Sequence, residues 1–394
     1  MSPSIGIGMI GYKFMGKAHS NAYRQVPQFF DLSLKPRLKT ICGRDRAKVE
    51  KMAARWGWEN AVTDWRDVID DPDVRIVDIC SPNNTHREIA LAAFEAGKIV
   101  ACEKPLAMNG AEAAEMAAAA HRSGQINTVW FNYRRVPAIA FARQLIDEGR
   151  IGRVYHSRAL YLQDWTLDPA VPLVWRMDKD VAGSGVTGDL HSHLVDISNY
   201  LVGDIASVAG ASRIFVDERE RPEGGRARVE IEDASIFVCK YANGAIGHFE
   251  ATRFANGRKN GNTFEVNGEF GSLYFDLEDM SRLWYFDSRD PKHVQGWREI
   301  AVWEECHPYM KNWWVPGCAI GYEHTFANQA ADLLDAVAAN RPMKPDFDDG
   351  LRCQLVLDAV MEACASDRWV DVVGQVGNLR PIVNRPAGEH DKRS

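Results

Sequence analysis

The sequence lacks three features that would each point to a definite class of protein. Its eight cysteines are spread singly along 394 residues, with no CxxC pair. A zinc ribbon and a disulfide framework are therefore disfavoured, and reduced thiols are expected. No apolar run is long enough to cross a bilayer. The formal net charge of -7 leaves no general basic field, so neither nucleic acid nor an anionic membrane is an expected partner.

A secretory leader is also missing from the start of the sequence, because the opening residues pass directly into the strand-like run SIGIGMI at positions 4–10. We therefore expect a cytoplasmic protein. The composition, with 46% hydrophobic and 26% charged residues, is that of an ordinary globular chain. A length of 394 residues exceeds what one small core accommodates, so two domains are predicted.

The first third of the sequence alternates between apolar runs of strand length and segments of helix length. Strands are predicted at residues 4–10, 37–42, 61–62, 75–81 and 99–102, and helices at 46–56 and 85–96. Strands that alternate with helices form a parallel sheet with right-handed crossovers. We predict an α/β fold whose doubly wound Rossmann domain covers residues 1–132.

A glycine-containing segment, GYKFMG at positions 11–16, joins the first predicted strand to the first predicted helix. Gly11 and Gly16 occupy the first and third positions of the GxGxxG fingerprint, where they allow a tight turn and close packing of helix on strand. Lys13 replaces the second glycine and either contacts the cofactor or points outward. Because free N–H groups at a helix start bind pyrophosphate, Lys13, Phe14 and Met15 join the two glycines as candidate cofactor contacts.

The end of the second predicted strand carries the usual signal for cofactor type. An acid there binds the ribose 2′-hydroxyl of NAD, whereas a basic residue accommodates the 2′-phosphate of NADP. Gly43 stands at the expected acid position and Arg44 follows it, so both are candidate cofactor residues. The pattern favours NADP, while Asp45 keeps NAD open and Arg44 alone is equally consistent with a solvated loop.

The apolar run at residues 99–102 ends in a charged pair, Glu103 and Lys104, followed by Pro105. A buried strand would place this pair at its carboxyl end, where open parallel sheets bind their ligands. The alternative is a solvated turn. The first interpretation makes Lys104 a candidate for chemistry.

A glycine-rich segment opens a predicted helix in which Asp189 and His193 lie four residues apart. One helical face then presents a carboxylate and an imidazole together, although each alone is also typical of a helix cap or a core histidine. His191 should point to a different side. A metal-dependent hydrolase using these residues with His86 and Asp196 is disfavoured because histidines two apart on a helix diverge, and no metal site is predicted.

The second half of the sequence changes to alternating runs separated by turn signals. These predicted strands lie at residues 154–162, 205–215, 234–241, 245–253, 262–267, 272–276 and 282–285. Asn243 and Gly244 indicate a hairpin turn between two of them. We predict an α+β domain over residues 133–373 with a large, mostly antiparallel open sheet and late helices at 324–338 and 349–366. Residues 374–394 are polar and are predicted to form a surface arm.

Three motifs together carry a family resemblance: GYKFMGKAHS, SPNNTH at 81–86 and CEKP at 102–105. Their order and spacing are similar to those of the glucose-fructose oxidoreductase, inositol dehydrogenase and rhizopine catabolism family of NAD(P)-dependent sugar oxidoreductases. The resemblance implies that Lys104 is catalytic and that Asp189 and His193 match the family's GDxxxH segment. It also implies a homodimer or homotetramer through the open sheet. The cofactor-side residues it implies are Ser81, Pro82, Asn83, His86, Glu103 and Lys104.

The family's layout also implies a sugar subsite of aromatic and polar side chains. The candidates are Tyr133, Arg134, Gln163, Trp165, Trp175, Arg176 and Tyr322. Flat aromatic surfaces and a few placed polar groups are typical of carbohydrate sites, although some of these aromatics could instead belong to the core or to an interface. The runs FNYRR, YLQDW and VWR resemble the branch of levoglucosan and glycoside 3-dehydrogenases.

The predicted reaction is reversible hydride transfer between a ring hydroxyl of a cyclic sugar or glycoside, at C3, and NAD or NADP. A base that works near neutral pH is best supplied by histidine, so His193 is the predicted proton acceptor. Lys104 would hydrogen-bond the same hydroxyl, and Asp189 would hold a neighbouring hydroxyl or tune Lys104. A myo-inositol-type dehydrogenase is the alternative, and a cofactor-sensing protein without catalysis is a more distant one.

Overall fold

Short buried strands assemble the first part of the chain into a parallel sheet. The computed structural model describes residues 3–372. Its first six strands are β1 (Ser4–Ile10), β2 (Lys35–Cys42), β3 (Asn60–Val62), β4 (Val74–Ile79), β5 (Ile99–Cys102) and β6 (Asn127–Val129). They pair in parallel in the order β3-β2-β1-β4-β5-β6. Strands β2 and β3 are added on one side of β1 and strands β4 to β6 on the other, so the strand order reverses between β1 and β4. This order confirms the doubly wound fold and places its ligand crevice at the carboxyl ends of those two strands.

Five helices connect these strands. They are α1 (Phe14–Phe29), α2 (Arg46–Trp56), α3 (Arg66–Asp70), α4 (His86–Glu95) and α5 (Gly110–Ser123). The first helix continues to Phe29, and the fully buried Val26 extends its apolar side. All four residues of β5 are buried, as expected for a strand covered on both faces.

The second part of the chain supplies eleven further strands. They are β7 (Val154–Leu162), β8 (Ile205–Arg213), β9 (Glu218–Glu220), β10 (Arg226–Arg228), β11 (Ala234–Tyr241), β12 (Ile246–Thr252), β13 (Gly261–Gly268), β14 (Gly271–Asp276), β15 (Arg282–Asp287), β16 (Arg298–Ala301) and β17 (Val370–Asp371). Nine of them form one sheet in the order β16-β15-β14-β13-β7-β12-β11-β8-β17, and β9 and β10 form a separate hairpin. Within residues 3–372, β7 and β12 are the only neighbours in this large sheet that pair in parallel, which confirms a mostly antiparallel sheet.

One face of the large sheet is buried and the other is open. Along β11, buried and exposed residues alternate strictly, the pattern of a strand with one covered face. The turn from β11 to β12 uses the predicted Asn243–Gly244 pair, with Gly244 in the left-handed region that favours glycine. The exposed face carries Ile236, Val238 and Ile246.

The last two helices connect the two sheets. The helices of the second part are α6 (Pro137–Asp147), α7 (Lys179–Ala182), α8 (Ser192–Leu201), α9 (Tyr322–Ala338) and α10 (Phe347–Ser366). Helix α9 packs on α1, and α10 packs on α5 and β8. Phe326 of α9 shares a core with Trp130 from the first part of the chain. The architecture changes between β6 and β7, around the predicted boundary at residue 133.

Several elements were not predicted: the β9/β10 hairpin, β16, β17, and helices α6 and α7. The predicted strand at 205–215 stops at Arg213, and the chain then leaves the sheet for the hairpin. The predicted polar arm at 374–394 lies outside the described residues. Among residues 3–372, the helices are too short or too polar to cross a membrane.

Candidate active site

The carboxyl end of β5 lies next to the turn that precedes α8. This contact brings the predicted catalytic residues Lys104 and Asp189 together. The Nζ atom of Lys104 lies 2.7 Å from the Asp189 carbonyl oxygen and 3.1 Å from the Asp189 Oδ1 atom. Both side chains are largely shielded from solvent. A lysine and an aspartate 85 positions apart therefore form one ion pair at the edge where a Rossmann sheet binds its ligand.

Asp189 lies on a turn of π-helix, Thr187–His191, and not on the predicted α-helix. Regular α-helix begins only at Ser192. The Thr187 N–H donates to Glu232 Oε1 at 2.8 Å, and an added Cβ on Gly185 would collide with the Glu232 backbone. These contacts hold the wide turn against the sheet. A π-turn of this kind is frequent at functional sites, and here it carries a carboxylate.

Asp189 holds a second cation that was not predicted. Arg253 Nη2 donates to Asp189 Oδ2 at 2.7 Å, and only 2% of the Arg253 side-chain surface is exposed. Burial alone would raise the Asp189 pKa, but Lys104, Arg253 and Arg176 hold it well below its usual value. Asp189 is therefore an ionised carboxylate, with one oxygen on Lys104 and the other on Arg253.

The imidazole of His193 completes this group and is 8% exposed. Its ring lies 4.4 Å from the Tyr133 ring and 5.9 Å from the Tyr161 ring, centre to centre. Burial, with a contribution from the Lys104 charge, lowers the His193 pKa well below its usual value and outweighs Asp189. Within residues 3–372 the imidazole has no hydrogen-bond partner. His193 is thus neutral and able to accept a proton.

His191 lies in the core and, unlike His193, is held by a main-chain carbonyl. It is fully buried, and its Nε2 atom lies 3.0 Å from the Ser235 carbonyl oxygen. Burial lowers its pKa to about 3. His191 is a core histidine on the other side of the turn, as expected.

A chain of hydrogen bonds forms one wall beside His193. The Tyr161 hydroxyl donates to Asn260 Oδ1 at 2.8 Å, so the Tyr133 hydroxyl, 2.9 Å away, donates to Tyr161. Gln163 Nε2 also donates to Asn260 Oδ1, at 3.2 Å, and Trp165 Nε1 donates to Gln163 Oε1 at 2.9 Å. Tyr133, Gln163 and Trp165 are predicted substrate residues that share this wall, whereas Tyr161 and Asn260 were missed.

Three more predicted substrate residues line the same region. The Arg176 guanidinium lies 4.5 Å above the Trp175 ring and is close enough to Asp189 to lower its pKa. Tyr322 is partly exposed and lies 6.3 Å from Tyr133, ring centre to ring centre. Its ring also stacks on Phe14 of the glycine segment, at 6.4 Å. Tyr322 thus joins the aromatic wall to the candidate cofactor loop.

Arg134 is a correction, because its side chain is not available to a sugar. Its Nε and Nη2 atoms donate to the Asp196 carboxylate at 2.9 and 2.7 Å, and Asp349 lies 3.5 Å from Nη2. All three side chains are buried. A buried guanidinium needs such partners, so Arg134 anchors α8 and α10 and does not form part of the substrate wall.

The glycine segment has the geometry of a dinucleotide loop. Gly11 has a φ of 113°, and a Cβ there would collide with the Cys80 carbonyl. A Cβ on Gly16 would collide with the Gly11 carbonyl. Lys13 is exposed and occupies the N-cap position of α1, and its side chain makes no capping hydrogen bond there. The backbone therefore approaches the end of β4 closely, and the free N–H groups of α1 fit a cofactor pyrophosphate.

The end of β2 shows how the acid position is occupied. A Cβ on Gly43 would collide with the Tyr12 ring, so no acid side chain fits there while Tyr12 keeps its place. Arg44 is exposed. The Asp45 carboxylate caps α2 by accepting from the Lys48 N–H at 3.1 Å, and it pairs with Lys48 Nζ at 2.8 Å.

The SPN segment follows β4, and its side chains hold the local backbone. Ser81 Oγ lies 2.6 Å from Thr85 Oγ1, and Asn83 Nδ2 donates to the Ala182 carbonyl at 3.0 Å. Pro82 is partly exposed at the start of this turn. The segment thus lies at the carboxyl end of β4, next to α7.

His86 is a second correction. It is fully buried, with Nδ1 at 3.1 Å from the Pro105 carbonyl oxygen and Nε2 at 3.0 Å from the Ser81 carbonyl oxygen. Since both nitrogens face main-chain oxygens, the ring cannot also bind a cofactor directly. Instead it ties the SPN segment to the chain beyond Lys104.

An ionised cluster under the site was missed entirely. His19 Nε2 lies 2.9 Å from Glu103 Oε1, and its Nδ1 lies 3.0 Å from Asp78 Oδ2. Burial alone would lower the His19 pKa, but the two carboxylates raise it to about 9. Glu103 also accepts from the Lys104 N–H at 3.1 Å. The cluster therefore connects α1 to the ends of β4 and β5, immediately behind Lys104.

Arg253→Met is expected to lower turnover about 10- to 100-fold, because one charge-assisted hydrogen bond that orients Asp189 is lost. Asp189 would then be free to rotate away from Lys104. The measurement is kcat with saturating sugar and cofactor, beside cofactor affinity, which should not change. Arg258→Met is the matched control, since Arg258 is exposed and pairs only at the surface with Glu278. Equal kcat for both variants would contradict the role given to Arg253.

Comparisons with known proteins agree with this geometry. The family model for the oxidoreductase family with NAD-binding Rossmann fold matches residues 5–132, and the model for the GFO/IDH/MocA C-terminal domain matches residues 139–274. Levoglucosan dehydrogenase of Pseudarthrobacter phenanthrenivorans is 40% identical over 384 residues, 94% of this chain and 98% of that protein.

Solved structures show the same relationship. A structure of levoglucosan dehydrogenase in complex with NADH and levoglucosan has a TM-score of 0.92 and 41% identity, covering 94% of this chain and 99% of that one. An oxidoreductase domain protein from Kribbella flavida has a TM-score of 0.92 and 49% identity, covering 94% and 100%. The chain therefore belongs to the GFO/IDH/MocA family of oxidoreductases and is a dehydrogenase acting on CH–OH donors.

Proposed function

We propose that this protein is an NAD-dependent dehydrogenase that oxidises the C3 hydroxyl of levoglucosan or a similar anhydrosugar or glycoside. The observation that carries the proposal is the ion pair of Lys104 with Asp189 beside a neutral His193, at the ligand edge of the Rossmann sheet. A bound nicotinamide supplies the hydride acceptor. The chain itself must hold the sugar and remove the hydroxyl proton.

His193 is assigned the role of base. Its neutral imidazole accepts the proton of the reacting hydroxyl, and its lowered pKa keeps it free to do so at neutral pH. Lys104 donates a hydrogen bond to the same oxygen and stabilises its developing negative charge. Asp189 orients the Lys104 ammonium, and Arg253 in turn orients Asp189.

The wall of Tyr133, Gln163 and Trp165 supports a sugar as substrate. Carbohydrate rings need flat apolar surfaces with fixed polar groups between them, and the hydrogen bonds along this wall fix the orientation of each polar group. The levoglucosan complex of a relative 41% identical supports an anhydrosugar in particular. Relatives named myo-inositol 2-dehydrogenase and scyllo-inositol 2-dehydrogenase are 27% and 30% identical over 63% of this chain.

NAD is the proposed cofactor. Levoglucosan dehydrogenase structures with 41–42% identity to this chain are complexes with NADH, and these relatives support NAD. The exposed Arg44 is the residue that would instead accept a 2′-phosphate, so the sequence-based preference for NADP remains the competing prediction.

The open face of the large sheet is the proposed contact between subunits. It exposes Ile236, Val238 and Ile246 at 52%, 44% and 59%, and apolar patches of this kind are typical of interfaces. The mass in solution by light scattering should be a multiple of the 44.2 kDa chain. A cytoplasmic location remains a prediction.

The deciding experiment follows the near-ultraviolet absorbance of reduced nicotinamide while the purified protein meets levoglucosan, a glucoside, free glucose or myo-inositol, each with NAD and with NADP. Turnover of levoglucosan or the glucoside with NAD is expected, and the oxidised carbon is identified by NMR of the product. Turnover of myo-inositol alone would favour the inositol dehydrogenase alternative. Cofactor binding without turnover of any substrate would favour a sensing protein.

A further inference from the structure

The loop at residues 163–178 forms much of the substrate wall but has little regular structure of its own. It leaves β7, carries Trp165, Trp175 and Arg176, and contains only one turn of 3-10 helix, Trp175–Met177. Loops that shape a binding site need support from a rigid scaffold. The support here comes from outside both sheets.

Arg219, on strand β9 of the separate hairpin, reaches into this loop and is only 1% exposed. Its Nη2 atom donates to the Thr166 carbonyl at 2.6 Å, and its Nη1 atom donates to the carbonyls of Asp168 and Val171, each at 3.0 Å. Within residues 3–372 no carboxylate lies within ion-pair distance of this guanidinium. Its three hydrogen bonds therefore all go to carbonyls of residues 166–171, which wrap around the guanidinium.

A small apolar cluster strengthens the same joint. Leu173 and Met177 from the loop pack with Val229 and Ile231, which follow β10, and this cluster is separate from the two large cores. The Leu173 N–H also donates to the Glu220 carbonyl at 2.7 Å. Loop and hairpin are thus joined by side chains and by backbone.

The loop also contacts Arg253, the residue that donates to Asp189. Thr166 Oγ1 donates to the Arg253 carbonyl at 3.3 Å, and the Arg253 guanidinium lies 5.2 Å from the Trp165 ring centre. At its other end the loop leads into α7, whose Ala182 carbonyl accepts from Asn83. The loop therefore spans from the Asp189 side of the site to the cofactor side.

We propose that Arg219 is a positioning residue for sugar recognition: through the 163–178 loop it sets where Trp165 and Arg176 meet the cyclic sugar. This inference rests on the proposed function. Arg219 is buried and donates to the loop carbonyls, so it acts through the loop, and its effect falls on sugar affinity because this loop supplies the side chains proposed to face the sugar. A lysine ammonium also has three donors, but they sit on one nitrogen, whereas the three carbonyls are arranged around the two Nη atoms of the guanidinium fork.

Arg219→Met is expected to raise the KM for the sugar about 10-fold or more, with kcat changed less than about 3-fold and cofactor affinity unchanged. Arg219→Lys should give an intermediate KM. Arg226→Met, an exposed position on the same hairpin, is the matched control and should behave as the wild type. An unchanged sugar KM in Arg219→Met would overturn the proposal, as would equal losses of sugar and cofactor affinity.

Ile231→Ala weakens the same joint without touching the buried cation, so it serves if Arg219→Met does not fold. It should raise the sugar KM in the same direction by a smaller factor, and an unchanged KM would refute the proposal.

A second readout does not depend on any sugar being turned over. Trypsin cleavage after Arg176 and Lys179, followed by mass spectrometry, should be faster in Arg219→Met than in the wild type or Arg226→Met, because the loop loses three hydrogen bonds. Equal cleavage rates would show that Arg219 does not hold the loop. A wild type inactive on every sugar, with faster cleavage in Arg219→Met, would refute the proposed substrate class but support Arg219 as the residue that holds the loop.

Discussion

Lys104→Met should lower turnover on the order of 10² to 10⁴ while NADH still binds. The substitution keeps the length and apolar stem of the side chain but removes the ammonium that pairs with Asp189. In the proposed mechanism this ammonium donates a hydrogen bond to the reacting oxygen. Without it, the developing negative charge on that oxygen loses the cationic hydrogen-bond donor that the proposed mechanism assigns to it. Steady-state kcat on the best sugar found, beside NADH affinity from fluorescence titration, separates loss of chemistry from loss of binding.

The matched control for this change is Lys51→Met, because Lys51 is exposed on α2 of the same domain. It should leave both kcat and NADH affinity as in the wild type. If Lys104→Met kept more than about a tenth of wild-type kcat, a loss below the usual range for acid–base groups, lysine would have no place in the chemistry. If NADH binding were lost as well, Lys104 would be chiefly a cofactor residue.

His19→Leu should lower the free energy of unfolding by about 3–5 kcal/mol, because it leaves two buried carboxylates without their shared cation. Protonated His19 donates to Glu103 from one nitrogen and to Asp78 from the other. Trp130 Nε1 still donates to Asp78 at 3.0 Å, but nothing replaces the lost charge. Urea unfolding measures the change.

His121→Leu is the control for the loss of a histidine, since His121 is 60% exposed and pairs with Asp348 at the surface. A surface pair of this kind contributes about 1 kcal/mol or less. A His19→Leu variant as stable as His121→Leu would show that the cluster is not an ionised network.

The same cluster should make the protein less stable at alkaline pH. A pKa raised from 6.5 to about 9 on folding contributes stability that is fully present below pH 6.5. This contribution, on the order of 3 kcal/mol, is lost as the pH rises through about 9. The free energy of unfolding of the wild type should therefore fall between pH 6.5 and 9 by more than that of His19→Leu. Parallel pH profiles for the two proteins would contradict a charged His19.

Much of the candidate site was predictable because its residues stand in local patterns. The apolar run before Glu103 and Lys104 predicts a buried strand, and β5 has those bounds. Strand and helix periodicity predicts both sheets, since burial on one face or two leaves a repeat of fixed length in the chain. The extra residue of the π-turn at Asp189 has no such repeat, so the sequence indicated an α-helix there.

For Arg253, the local sequence pattern predicts burial, but only the tertiary structure shows its partner. Arg253 follows Phe249 and Ala251 at a spacing of two residues, and both of these are buried in β12. The spacing therefore indicates a buried arginine that needs a partner. That partner is Asp189, which lies 64 positions away in the sequence. No local repeat records a distance of that kind.

By itself, the sequence determined the doubly wound domain and the open sheet, and it predicted Lys104, Asp189 and His193 as the residues of the chemistry. Only the tertiary structure decided which polar groups contact each other. It pairs Arg134 with Asp196 and places His86 against main-chain oxygens. It also places His19 between two carboxylates and Arg219 inside the 163–178 loop. The physical reason is that backbone periodicity depends on neighbours within a few residues. A buried charge, in contrast, is stabilised by a distant side chain or carbonyl that the packing of the elements brings within about 3 Å.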